Sequence, residues 1–170
     1  LFVKPACEGS SIGVTKVRKA GELHAAYLEA AKHDPLVIAE KGVLGGEYTA
    51  SILGDEALPI IKIEPATDFY DYEAKYAPGG SKHVLPAELP AHVFDKALRQ
   101  SELAHTAMGC RGVSRSDFRY DDVNDVLVLL EVNTQPGMTP TSLSPEQAAH
   151  VGMAYRDLVR WMVEDASCPR

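Results

Sequence analysis

Leu129-Leu130-Glu131-Val132-Asn133-Thr134-Gln135-Pro136-Gly137-Met138 is an apolar run that delivers a carboxylate and an amide two residues apart and then stops at Pro-Gly. Side chains alternate faces along a strand, so Glu131 and Asn133 are expected to point one way while Leu130 and Val132 point into a core. Two hard oxygen donors then lie side by side. Upstream, Gly112 to Tyr120 reads as a second strand, joined to the first by the turn-rich Asp121-Asp122-Val123-Asn124-Asp125. Opposed residues of an antiparallel pair share a face, and Asp117, Glu131 and Asn133 have the same parity. Any register that opposes odd to odd therefore gathers them, with Arg115 beside them. Two carboxylates, an amide oxygen and a guanidinium on one surface are costly without a ligand, because the carboxylates repel. A divalent cation resolves the conflict. Mg²⁺ takes a few carboxylate oxygens together with phosphate oxygens and water, so the set suggests a metal–nucleotide site with Arg115 as a phosphate clamp. The competing reading is a solvated hairpin face whose charges keep a strand edge soluble.

The totals bound what such a site can serve. A chain of 170 residues with 45% hydrophobic content can bury a core of one domain or two small lobes. A formal net charge of −7 argues against a nucleic-acid or membrane-surface partner, which would need a basic footprint. Three scattered cysteines, Cys7, Cys110 and Cys168, make neither a disulfide framework nor a C-x-x-C pair, which fits a reducing cytosol. No segment reaches transmembrane length. Leu1-Phe2-Val3 opens inside an apolar strand without an initiating Met, so the chain is expected to be a fragment of a longer protein.

Along the chain, Leu1 to Pro5 and Val14 to Val17 read as strands around Ala6-Cys7-Glu8-Gly9-Ser10-Ser11-Ile12-Gly13. The backbone N–H groups and hydroxyls of that connection are able to wrap a phosphate with Lys4 at its base, although no P-loop lysine is present. A plain glycine hairpin is the alternative. Gly21 to His33 is expected to be an amphipathic helix with Leu23, Ala26, Tyr27, Ala30 and Ala31 inward. No pair of histidines has zinc-ligand spacing on a predicted helix. Leu36 to Glu40 is a strand, and the connector Lys41-Gly42-Val43-Leu44-Gly45-Gly46 suits either a crevice that holds a flat base or an ordinary hinge. Glu47 to Leu53 and Ala57 to Glu64 form a second antiparallel pair. From Pro65 to Pro90 regular signals fail, and a loop carrying Lys75 and Tyr76 reads as a lid or as a surface loop pinned by its tyrosines. Pro90 to Ala107 is a helix with Val93, Ala97, Leu98 and Ala104 inward. Ser144-Pro145-Glu146-Gln147 is read as the capping box that starts the last helix, with Ser144 as N-cap.

Taken together, Phe2-Val3-Lys4-Pro5 with Glu8-Gly9-Ser10-Ser11, Glu40-Lys41 with Glu47-Tyr48-Thr49, Phe69 to Tyr76, Arg115-Ser116-Asp117 and Glu131 to Thr139 resemble the D-alanine–D-alanine ligases of the ATP-grasp fold. The likeness runs through the whole chain in the family's order. It implies an α+β architecture, an antiparallel sheet flanked by helices, with residues 1–40 the remnant of a central ATP-binding lobe and 41–170 the C-terminal lobe. It implies a cytoplasmic enzyme of peptidoglycan synthesis, a homodimer when intact, that spends ATP to join two D-alanines through an acyl phosphate. Such chemistry needs positioned charge more than covalent help from protein. By similarity, Lys4 and Lys75 bind ATP phosphates, with Glu8 and Ser10 nearby. Glu40 and the backbone of Lys41 and Val43 hold adenine, and Glu47 the ribose. Asp117, Glu131 and Asn133 hold two Mg²⁺ ions, Mn²⁺ being an alternative. Arg115 and the Gly137 N–H stabilise the oxyanion. Ser142 and Leu143 receive the second D-alanine's carboxylate, and Ser11 and Tyr76 belong to the network that shuts the lid. Ser116 departs from the family's usual Ile or Val. The family's N-terminal domain is not in the chain, so the piece alone is expected to be inactive. The rivals are another ATP-grasp carboxylate–amine ligase and a non-catalytic nucleotide-binding module.

Overall fold

The computed structural model describes residues 1–65 and 81–166. The chain divides into two compact units, residues 1–43 with 65–82, and residues 44–64 with 83–170. In the first, β1 (Phe2–Pro5) lies between β2 (Thr15–Lys16) and β3 (Val37–Glu40), antiparallel to both. A short turn, Ala20–Glu22, leads into α1 (Leu23–Ala30). Val3, Val17, Ala26 and Ala30 make the core of this unit, with Val37 against it. The helix buries a stripe of two alanines, whose small Cβ atoms allow close approach to the sheet. Leu23 and Tyr27, expected inward, are instead 41% and 48% exposed. Asp34 ties the helix exit to the end of β1. Its carboxylate accepts the Leu36 N–H at 2.8 Å and the Cys7 N–H at 2.9 Å. The Leu36 bond first, and then the Cys7 thiol and N–H, hold its pKa below the ordinary aspartate value.

The second unit is built on a sheet whose strands run β7-β6-β4-β8-β9, with β5 (Glu56–Ala57) paired to β4 off this path. These strands are β4 (Gly46–Leu53), β6 (Ile61–Pro65), β7 (Ser81–Val84), β8 (Val113–Asp121) and β9 (Val126–Asn133). The pairings of β4 with β6 and β8, and of β8 with β9, are antiparallel. The even-numbered residues of β8 form its inner face. Phe118 and Tyr120 pack with Tyr48, Ala50, Ile60, Leu127, and Val93 and Ala97 of α2 (Ala91–Ala107). His105 Nδ1 lies 2.7 Å from Ser114 Oγ at the end of this interface, so buried polar atoms there are paired. Ser116, on the same face, is fully buried, and its Oγ has no hydrogen-bond partner among the described residues.

The β8–β9 register breaks between Asp117 and Phe118. Asp117 opposes Glu131, whereas Phe118 opposes Leu129, so Leu130 is an extra residue in β9. This β-bulge reverses the phase of the strand. Leu127 and Leu129 lie on the inner face, and after the bulge Glu131 and Asn133, of the same parity, lie on the opposite one. Leu130 is not directed into the core as expected: it is 39% exposed, because an unpaired bulge residue is pushed out of the ladder.

The second face of the sheet is covered in part by α3 (Leu143–His150), followed by α4 (Tyr155–Asp165). Leu58, Ala148 and Leu158 form a smaller core with Leu53, Met138, Met153 and Met162. The helix α3 starts earlier than its sequence suggests. Ser142, not Ser144, is the N-cap residue, and Ser144, Pro145 and Gln147 are buried. Pro145 is tolerated there because the first turn's N–H groups have no intrahelical partner to lose. Ser144 and Gln147 turn their side chains to the sheet instead of forming a capping box. Among the described residues no helix is long and apolar enough to cross a membrane.

Candidate functional site

Asp117 is the centre of the polar face. Its carboxylate is largely buried, with 15% of the side chain exposed. Four donors converge on it. Arg115 Nε reaches Oδ1 and Arg115 Nη2 reaches Oδ2, both at 2.8 Å, in a bidentate fork. Thr49 Oγ1 donates to Oδ1 at 2.7 Å from the neighbouring strand, where Thr49 stands directly opposite Asp117. Asn133 Nδ2 donates to Oδ2 at 3.0 Å. Arg115 in turn opposes Asn133, and Asp117 opposes Glu131, as the odd-to-odd register requires. Glu131 is exposed and makes no hydrogen bond or ion pair among the described residues. The face therefore presents one carboxylate paired with a guanidinium and one uncommitted among the described residues opposite it, with the Asn133 amide bonded to the first.

That donor set fits Mg²⁺. Two carboxylates and an amide oxygen leave room in an octahedron for phosphate and water oxygens, the way this ion is usually held. Among the described residues no three His, Cys, Asp or Glu side chains cluster. Arg115 supplies the positive partner of Asp117 here, so a cation at this face would compete with the guanidinium for the same oxygens.

One step along the same face, Glu47 opposes Arg119. Arg119 Nη2 donates to Glu47 Oε2 at 2.9 Å and Nη1 to the Gly45 carbonyl at 2.9 Å, fixing Glu47 at the start of β4. Gly45 has φ +99°, and a Cβ there would fall 1.9 Å from the Tyr120 carbonyl oxygen, so only glycine admits this close approach. Sequence reading assigned no role to Thr49 or Arg119. The available signal was parity: each lies on the odd-numbered face of its strand with Glu47, Arg115 and Asp117.

Beyond Asn133 the chain leaves the sheet through Pro136-Gly137 and returns at Ser142. Ser142 Oγ accepts the Thr139 N–H at 3.0 Å and lies 2.8 Å from Thr139 Oγ1. A Cβ on Gly137 would meet Ser142 Oγ at 3.1 Å. Gly137, Ser142 and Leu143 are thus brought to one corner, the loop closed against the start of α3.

In the first unit Lys4 Nζ and Glu40 Oε2 form an ion pair of 2.8 Å between β1 and β3. Lys41 and Glu8 are exposed, and Val43 is half-buried. Ser10 and Ser11 occupy the left-handed region in succession, φ +53° and +61°, an unusual pair for non-glycine residues that bends the backbone sharply between β1 and β2. Lys75 and Tyr76 lie outside the described residues.

The sequence model of the family described as "D-ala D-ala ligase C-terminus" matches residues 1–164. The D-alanine–D-alanine ligase of Caulobacter vibrioides is 55% identical over 170 residues, covering 96% of this chain and 52% of the relative. Among solved structures, the Bacillus anthracis D-alanine–D-alanine ligase complexed with ATP is similar with a TM-score of 0.79 and 34% identity, over 96% of this chain and 52% of that one. The VanG D-Ala:D-Ser ligase of Enterococcus faecalis gives a TM-score of 0.82 and 33% identity, over 96% of this chain and 48% of that one. The chain spans about half the length of the curated relatives it matches.

Proposed function

The chain belongs to the D-ala D-ala ligase C-terminus family, with the ATP-grasp fold of its structural neighbours, and from that premise we propose that it is the catalytic C-terminal part of an ATP-dependent D-alanine–D-alanine ligase. The observation that carries the reading is the gathering of Asp117, Glu131 and Asn133 on one face of the β8–β9 hairpin, with Arg115 on the same face. Asp117, Glu131 and Asn133 would hold Mg²⁺, and the uncommitted Glu131 is the side chain best able to bridge two ions. When bound, Mg²⁺ offsets the charge of the nucleotide's phosphate oxygens.

In this reading ATP phosphorylates the carboxylate of the first D-alanine, giving an acyl phosphate and ADP. The amine of the second then attacks the acyl carbon and phosphate leaves. Arg115 and the Gly137 N–H would face the oxygen on which negative charge develops, a term that is commonly large in acyl transfer. Ser142 and Leu143, next to Gly137, would receive the acceptor carboxylate where the free N–H groups of α3 favour an anion. Glu47, steadied by Arg119, would bind the ribose, and Glu40, Lys41 and Val43 the adenine. Lys4 and Lys75 would contact phosphates, with Glu8 and Ser10 near them. Ser11 and Tyr76 would take part in closing the lid.

We assign residues 1–40 to the end of a central ATP-binding lobe and 41–170 to the C-terminal lobe of a cytoplasmic, homodimeric enzyme of cell-wall synthesis. A second reading, D-serine as acceptor, is supported by the comparable likeness to VanG. The test is a coupled assay of ADP release and dipeptide formation. Joined to its N-terminal portion, the chain is expected to consume ATP in a D-alanine-dependent way and to form D-alanyl-D-alanine, and alone to form none. ADP release that ignores D-alanine would contradict the proposal, and preferential formation of D-alanyl-D-serine would move it to the second reading.

A further inference from the structure

Gln147 is among the most deeply buried polar side chains of the second unit, at 0% exposure, and every polar atom of its amide is used. Nε2 donates to the Thr49 carbonyl at 3.1 Å and to the Pro59 carbonyl at 2.7 Å. Oε1 accepts from Ser51 Oγ at 2.6 Å, and Ser51 Oγ lies 2.7 Å from Ser144 Oγ. Leu143 and Gln147 are one helical turn apart and both face inward, so this amide pins the opening turn of α3 to β4. On β4, the residue whose carbonyl it holds is Thr49, whose hydroxyl holds Asp117. On the outer side of the same turn, Glu146 Oε2 lies 2.6 Å from His83 Nδ1.

We infer that Gln147 is a positioning residue for the acceptor: it locks the turn carrying Ser142 and Leu143 in register with the strand that supports Asp117. This inference rests on the ligase reading above. A buried side-chain amide is a costly way to join a helix to a sheet, since each of its groups must find a partner. An apolar side chain would bury the same surface but leave α3 free to slide along β4. The three bonds of Gln147 converge from two chain segments and fix both the depth and the rotation of the helix. Ser144 adds a fourth tie through Ser51. The N–H groups of the first turn, which have no helical partners, are thereby aimed from a fixed place relative to the metal face. Small misplacements of a substrate-positioning group carry large kinetic effects.

The test is Gln147→Met in the full-length ligase, which keeps side-chain length and removes the bonds. The KM of the acceptor D-alanine is expected to rise by about tenfold or more while the KM of ATP stays within about twofold, a split that general loosening would not give. Ser51→Ala, which removes only the hydroxyl's bonds to Gln147 and Ser144, should move the acceptor KM the same way by a smaller factor, and decides the matter if the methionine variant does not fold. An unchanged acceptor KM, or equal rises in both KM values, would overturn the assignment of Gln147 and leave the ligase reading standing. A parent enzyme that releases no ADP in response to D-alanine would overturn both.

Discussion

The two ends of the β8–β9 hairpin share strands and residue parity but do opposite work. From Phe118 to Asp121, opposed by Val126 to Leu129, odd residues of β9 face the core: Leu127 belongs to the same buried cluster as Phe118 and Tyr120, with Leu129 packed against it. From Arg115 to Asp117, odd residues of β9 face away from that core, and Glu131 and Asn133 meet Asp117 and Arg115. Only Leu130 separates the two regimes. A single inserted residue therefore lets one apolar strand serve a hydrophobic interior at one end and a charged site at the other, as bulges commonly do beside functional sites. Were Leu130 held inside a regular ladder instead, alternation would put Glu131 and Asn133 on the same side as Leu127 and Leu129.

Breaking the core end should have the largest effect. Phe118 is fully buried against Val93 and Ala97 of α2, so Phe118→Ala leaves a cavity between the sheet and that helix. We expect a loss of about 3 kcal/mol or more in chemical denaturation. Glu131→Gln tests the site end alone. Because Glu131 is exposed, melting should shift by no more than about 2 °C, while Mn²⁺ affinity falls by about tenfold or more and turnover is abolished in the intact enzyme. Unchanged turnover would remove Glu131 from the metal set.

Thr49→Val removes the hydroxyl that orients Asp117 and keeps the β-branched shape. Mn²⁺ affinity in the presence of ATP is expected to fall by roughly tenfold, since groups that orient metal ligands are usually worth that much. An unaltered affinity would mean that Arg115 and Asn133 suffice to hold Asp117. The smallest effect belongs at the boundary of the two regimes, where Ser116 buries on the core face a hydroxyl with no partner among the described residues. Ser116→Val should stabilise the fold by about 1 kcal/mol and leave Mn²⁺ binding unchanged, which denaturant titration and relaxation measurements would read together.

Much of this site was legible before any coordinates. Parity placed Asp117, Glu131, Asn133 and Arg115 on one face, and that argument depended only on the local register beyond the bulge. What the sequence concealed was the bulge itself. Val126 to Leu130 is an unbroken apolar run, so no polar residue marks the point where the alternation changes phase, and Leu130 reads as core. The start of α3 was misread for a related reason: Ser144 and Gln147 have the spacing of a capping box, but both side chains are claimed by Ser51 and β4 carbonyls, which sequence spacing cannot reveal. Helix α1 shows the limit of periodicity in a small unit. Residues 23 and 27 and residues 26 and 30 make adjacent stripes of equal spacing, and close approach to the sheet selected the alanines over the larger pair.

The central claim is that the extra residue in β9 turns Glu131 and Asn133 toward Asp117 to make a metal face. An anomalous difference map from crystals grown with Mn²⁺ and ADP tests it most directly. The account predicts density about 2.0–2.3 Å from oxygens of Asp117, Glu131 and Asn133, with Leu130 outside the ladder. Mn²⁺ held by the nucleotide and other residues, with Glu131 turned to the side of Phe118, would contradict it.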